Sequence, residues 1–228
     1  MPATTGGRSA TTGGSASLGA MSGEHGVADR DGGLPEVPPP RIDTGVHSLV
    51  TVISGPTAVG KGTVVGRLRE LHPSVFVSVS VTTRQPRPGE LDGVHYWFID
   101  DSEFDRLIVD NGLLEWAVVH GTARYGTPRR PVEDAVAAGR PVVLEIDLQG
   151  ARQVRSTMPH AQFVFLTPPS WDELVHRLIG RGTESPEQQA RRLETARTEL
   201  VAASEFDHVV VNSEVDRTVD ELVGLLGL

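Results

Sequence analysis

The sequence contains no cysteine. That excludes a disulfide framework, thiolate metal sites and a cysteine nucleophile, and it fits a reducing, cytoplasmic setting. It also lacks any apolar run near the roughly 18 residues that would suggest a membrane-spanning helix, and its N-terminus has no apolar signal core. Positive charge is not in excess. The formal net charge of −9 argues against a chain built to coat nucleic acid or anionic lipid, so neither is expected as a partner. Arginines nevertheless cluster locally, and the anions they meet are expected to be small and enclosed. The eight histidines show no metal-ligand spacing and read as ordinary surface or core residues.

Residues 1–47 are short of what a core needs. They hold ten glycines, five prolines, many Ser and Thr and no aromatic side chain. Such a segment cannot bury enough apolar surface to offset its ordering entropy, and it is expected to be disordered.

From Leu49 onward, short apolar runs alternate with helical periods. Strands are expected at 49–54, 75–81, 95–99, 113–120, 141–146, 161–166 and 208–211. Helices are expected at 63–71, 102–111, 128–138, 150–157, 171–181, 186–204 and 215–226. Strand, loop and helix in repetition predict one α/β domain over 48–228 with a largely parallel sheet. The stretch 80–127 is richer in strands and turns and is expected to form a small inserted antiparallel subdomain.

The run SGPTAVGKGT, residues 54–63, joins an apolar strand to a helix, the context that makes a phosphate-binding P-loop credible. Its glycines let the backbone bend so that successive N–H groups point inward, and the helix N-terminus adds favourable potential for an anion. Gly55, Pro56, Thr57, Ala58, Val59, Gly60, Lys61, Gly62 and Thr63 are the expected phosphate contacts, with Lys61 reaching the outer phosphates. Gly62 stands where a hydroxyl usually ligates Mg²⁺, although Thr63 follows. The ion is therefore expected to rest mainly on phosphate oxygens and water, with Glu145, at the end of PVVLE, holding it through water. Downstream, SVSVTTRQPRPGELDGVHYWF carries Arg84 and Arg87 beside prolines that stiffen the turn, then Tyr96. Two arginines on a rigid loop suit a dianionic phosphate.

The strings GPTAVGKGT, SVTTRQPRPGE, DGVHYWF, LLEWA, YGT, EIDLQG, PPS, RLIGRGTES and VVVN, in that order, resemble the guanylate kinases over about residues 48–228. The resemblance implies a P-loop NTPase-type parallel sheet flanked by helices, an inserted GMP-binding α+β subdomain near 80–127 and a helical lid near 177–192. It implies GMP phosphate held by Arg84, Arg87, Tyr96 and Tyr125, and guanine read by Ser80, Glu115, Thr127 and Asp147. Adenine contacts are expected near Asn212. The implied catalytic cations are Lys61, Arg84, Arg177, Arg181 and Arg192; Arg177 and Arg181, four apart on an expected helix, share a face. The implied reaction moves the γ-phosphoryl of ATP to GMP with Mg²⁺, giving ADP and GDP for guanine nucleotide metabolism.

The chemistry agrees with that carry-over. Guanine presents N1–H and its 2-amino group as adjacent donors, which one carboxylate such as Glu115 can accept together, whereas adenine offers an acceptor at N1. No general base is evident, and none is needed when the acceptor is a phosphate oxygen already ionised at neutral pH. Two departures stand out. HGTARYGT is one residue longer than the family's usual spacing before Tyr-Gly, and EID stands where Asp-Ile-Asp is commoner. A non-catalytic guanylate-kinase-like binding module is the main rival, opposed by the intact phosphate loop and arginines. A P-loop kinase for another monophosphate is opposed by Glu115 together with Asp147.

Overall fold

The computed structural model describes residues 48–119, 123–179 and 186–228. The expected tail over 1–47 and Arg181 lie outside the described residues.

Strand β1 (Val50–Ser54) is buried along its whole length, as a near-continuous apolar run requires when both faces of a strand are covered. It lies at the centre of a five-stranded sheet. The order is β2 (Phe76–Val77), β7 (Val142–Glu145), β1, β8 (Gln162–Thr167), β9 (His208–Val211), and every pairing is parallel. Alternation along the strands makes two apolar faces. Val52, Leu144, Phe163 and Phe165 face one layer, which includes α4 (Leu148–Thr157), α5 (Trp171–Ile179) and α6 (Pro186–Val201). Ile53, Val143, Val164 and Leu166 face the other, formed by α1 (Lys61–Leu71) and α7 (Val215–Leu226). The carboxyl ends of β1, β7, β8 and β9 open on one edge, the place where parallel sheets present ligands to loops.

A second sheet has the order β4 (Trp97–Phe98), β3 (Val81–Thr82), β6 (Ala123–Pro128), β5 (Leu113–Val119). Helix α2 (Asp101–Val109) closes it over a small core of Val81, Phe104 and Leu113. The expected antiparallel sheet is corrected to a mixed one. β6 runs antiparallel to β3 and β5, but β3 and β4 are parallel. The long connection 83–96 carries the chain across instead of turning it back, as parallel neighbours require.

The strand expected at 75–81 is two strands in different sheets. The alternation in VFVSVSVT keeps one period through Ser78–Ser80, so the change of sheet leaves no trace in the pattern. β6 was not expected; its run ARYGTP has no apolar alternation, and Pro128, its last residue, falls in the helix expected at 128–138. α1 begins at Lys61 rather than at 63, and α6 ends in a short 3₁₀ turn, Ala202–Glu205. α3 (Arg129–Ala137) follows β6 and packs Val132 and Ala135 on the first face. Among the described residues, no helix is long and apolar enough to cross a membrane.

Candidate active site

The chain leaves β1 at Ser54 and enters α1 at Lys61, turning through Val59 N–H donating to Pro56 O at 3.2 Å. Gly60, the N-cap of α1, has φ +98°. A Cβ there would stand 2.7 Å from Asn212 Nδ2, so both conformation and space demand glycine. The helix start has no capping side chain and no acid in its first turn. Its orphan N–H groups are therefore left for an anion.

Asn212 is 4% exposed. Its Nδ2 donates to Val59 O at 2.8 Å, and its Oδ1 accepts from Thr218 Oγ1 at 3.1 Å. Lys61, the chain's only lysine, folds back so that Nζ donates to Gly55 O at 2.6 Å and Pro56 O at 3.2 Å. Burial lowers its pKa, against the opposing charges of Glu145, Glu199 and Asp147.

Glu145 ends β7, half-buried beside this loop. Burial raises its carboxyl above the usual range, opposed by Lys61 and Arg69. No hydrogen bond from a described residue reaches its carboxylate. A Cβ on Gly62 would stand 3.6 and 3.9 Å from its two oxygens, so the gap left by Gly62 opens toward them. These residues fit Mg²⁺ held through water. No described group of three or more acidic or histidine side chains could hold a metal by itself, so phosphate oxygens and water would supply the other ligands.

A cavity of about 240 Å³ joins Lys61 and Glu145 to Ser80, Arg84, Arg87, Tyr96, Glu115, Tyr125 and Asp147. Arg84 Nε donates to Tyr125 Oη at 2.9 Å, its terminal nitrogens meet Glu90 at 2.6 and 2.7 Å, and its guanidinium lies 5.0 Å from the Tyr96 ring centroid. Glu90 also accepts from Arg87 N–H at 2.7 Å. Mainly through its bonds with Arg84, its carboxyl is held at about 2. Sequence reasoning missed Glu90; its signal was a carboxylate three residues after Arg87 on the same stiff turn.

Glu115 is 5% exposed. Antiparallel pairing sets it opposite Thr127, whose hydroxyl donates to Oε1 at 2.6 Å. Burial pushes the Glu115 carboxyl up to about 7, with the charge of Asp147 adding to the shift and the Thr127 hydroxyl opposing it. Asp147 is the N-cap of α4 and accepts from Gly150 N–H at 2.7 Å. A Cβ on Gly150 would collide with the Glu115 carboxylate. Gly150 therefore leaves the space in which two carboxylates, one from a strand and one from a helix start, approach each other. That role was also missed, since its only signal was a glycine three residues after Asp147.

Arg177 sits elsewhere. Its Nη1 donates to Val59 O at 3.1 Å, Nη2 to Asn212 O at 3.5 Å and Nε to Glu173 at 2.8 Å. It lines a separate cavity of about 360 Å³ with Ala58, Gly60, Thr63 and Asn212. The structure thus groups Arg177 with Asn212 and not with Arg84. Arg192 is half-buried on α6.

A parallel sheet whose central strand feeds a glycine-rich loop and an uncapped helix start, faced by a second cationic site, defines a P-loop kinase. The guanylate kinase family profile matches residues 48–227. The guanylate kinase of Cutibacterium acnes is 67% identical over 179 residues, covering 78% of this chain and 90% of its own. That of Thermobifida fusca is 64% identical over 177 residues, with the same two coverages of 78% and 90%. The crystal structure of guanylate kinase from Anaplasma phagocytophilum matches with a TM-score of 0.65 at 35% identity, over 78% of this chain and 84% of that one. The chain belongs to the guanylate kinase family, and its class is that of the nucleoside monophosphate kinases.

Proposed function

We propose that this chain transfers the γ-phosphoryl group of ATP to GMP, giving ADP and GDP, with Mg²⁺ bound mainly through the ATP phosphates and in the cytoplasm. The observation that carries the reading is the buried Glu115 carboxylate in one cavity with Lys61, Arg84 and Arg87. A carboxylate that accepts the paired N–H donors of guanine, set across from a phosphate loop, suits GMP as acceptor.

In this reading, main-chain N–H groups from Ala58 to Thr63 hold the ATP phosphates. Lys61 exchanges the carbonyls of Gly55 and Pro56 for an outer phosphate oxygen. Asn212 and Arg177 flank the adenine side of the loop. Arg84, Arg87, Tyr96 and Tyr125 bind the GMP phosphate, with Arg84 sharing its donors between that phosphate and Glu90. Glu115 accepts from guanine N1–H and the 2-amino group, and Ser80, Thr127 and Asp147 complete the base site. Bound Mg²⁺ would supply neutralisation of phosphate charge, with Glu145 holding it through water. The acceptor oxygen of GMP is already ionised, so these residues orient two phosphates in line and stabilise developing charge. Residues 80–127 serve as the GMP-binding subdomain, and 177–192 as a lid whose Arg181 and Arg192 reach the transferring group and exclude water.

A coupled assay of ATP consumption against GMP, AMP, UMP and CMP tests this. GMP is expected to be preferred in kcat/KM by at least about 10³-fold. Equal turnover of AMP would remove the assigned role of Glu115. Binding of GMP with no turnover of any acceptor would favour the non-catalytic module.

A further inference from the structure

The phosphate loop is fastened from outside as well as shaped from within. Val59 O is held by Arg177 from α5 and by Asn212 after β9. The third fastening comes from α6. Thr57 N–H donates to Glu199 Oε2 at 2.9 Å, a bond between residues 142 apart in sequence. A main-chain N–H bonded to a carboxylate is a charge-assisted contact, stronger than one between neutral groups. Glu199 also lies close enough to Lys61 for its charge to act on the ammonium.

Helix α6 docks on the core through Leu193, Ala196 and Leu200. Arg197 adds a contact over the Trp171 ring of α5 at 4.9 Å; apolar contacts are non-directional and set the roll of a helix less sharply than a directional hydrogen bond. Arg192 and Glu199 are seven residues apart, nearly two turns, so both lie on one flank of the apolar stripe, about 10 Å apart along the axis. Fixing Glu199 against the loop therefore fixes the direction in which Arg192 leaves the helix.

We propose that Glu199 is a positioning residue for phosphoryl transfer: its bond to Thr57 N–H sets the roll of α6 against the phosphate loop and so aims Arg192 at the phosphates held there. The inference rests on the catalytic placement of Arg192 proposed above. It separates two tasks on one helix face, a carboxylate that registers the helix and a guanidinium that meets substrate.

A kinetic cycle on the full chain tests it. Arg192→Met should lower kcat by about 10³-fold. Glu199→Ala should lower kcat by about thirtyfold with KM for GMP within about twofold, because aim is lost while the acceptor site is untouched. Glu199→Gln, whose amide oxygen still accepts from Thr57 N–H, should stay within about threefold of the parent. Adding Glu199→Ala to Arg192→Met should cost less than about twofold more, since the residue to be aimed is gone. If Glu199→Ala does not fold, as judged by circular dichroism, Glu199→Asp withdraws the carboxylate from Thr57 and carries the same cycle. An unchanged kcat in Glu199→Ala overturns the proposal. So does a thirtyfold loss that repeats in full on the Arg192→Met background, which would leave the catalytic role of Arg192 standing. A normal kcat in Arg192→Met alone would instead refute that role, and this coupling with it.

Discussion

The two sides of the proposed site are built by opposite means. On the loop side, main-chain N–H groups of Ala58 and of Gly60 to Thr63 stand at an uncapped helix start, and the loop is shaped by glycine and by bonds to its outer face, Thr57 N–H to Glu199 among them. On the facing side, side chains line the cavity: Arg84 locked to Glu90 and Tyr125, and Glu115 buried against Thr127. Main-chain donors do not titrate and carry no information about a base. Buried carboxylates select a base, and their selection depends on pH. Contacts made by the main-chain donors should therefore be sensitive to backbone geometry and indifferent to acid, and those made by the Glu115 carboxylate the reverse.

Lys61→Ala should break the loop side most severely. Removing its one mobile charge is expected to lower kcat by about 10³-fold or more with the fold intact by circular dichroism. Activity within threefold of the parent would sink the phosphate-loop assignment. Next comes Glu115→Gln, which puts an amide donor against a guanine donor and should weaken GMP binding about 100-fold while leaving an ATP analogue unaffected. Calorimetric titration of the two ligands separately checks both halves; equal weakening would mean damage to the fold. Gly150→Ala should act through the same carboxylate. Forcing it aside costs about 2 kcal/mol, or about thirtyfold in GMP affinity, and again the ATP analogue should bind normally.

The smallest effect is the pH response. The Glu115 carboxyl is pushed up to about 7, and in its proposed role it meets guanine as the anion. GMP affinity should therefore fall about tenfold between pH 8 and pH 6, beyond the phosphate's own titration near 6. Glu115→Gln should keep only that phosphate component. The sign for stability is the reverse. A carboxyl raised above its unfolded value favours the folded state at low pH, so this contribution is lost as pH rises through about 7. Affinity that rises toward pH 6 would contradict the base-reading role.

The loop side was legible in sequence because its constraint is local. Strand, glycine, lysine and helix lie within a dozen residues, and the expected contacts 55–63 fall where β1 ends and α1 begins. The facing side was legible only through motif strings, since its residues come from separate strands and a helix start. What stayed hidden depends on tertiary approach. The sheet change at Ser78–Ser80 keeps a single alternation, and β6, ARYGTP, carries no apolar alternation. Gly150 matters because Glu115 arrives from another element. The fork of Arg177 is spent on Val59, Asn212 and Glu173, partners that its helix spacing did not reveal. Spacing places a side chain on a face, but only packing decides what that face meets.

Having a single lysine gives the protein one side-chain amine to address. Twenty arginines carry the rest of its positive charge, and guanidinium does not react with ordinary acylating reagents because it stays protonated. The only side-chain amine is the one that folds over the phosphate loop. Mild acylation followed by peptide mapping should therefore modify the side chain at position 61, and its yield should fall in step with occupancy by an ATP analogue. If Lys61 has its proposed role, the same scarcity makes amine-coupled immobilisation through a side chain incompatible with activity, because the tether and the substrate would compete for one nitrogen atom.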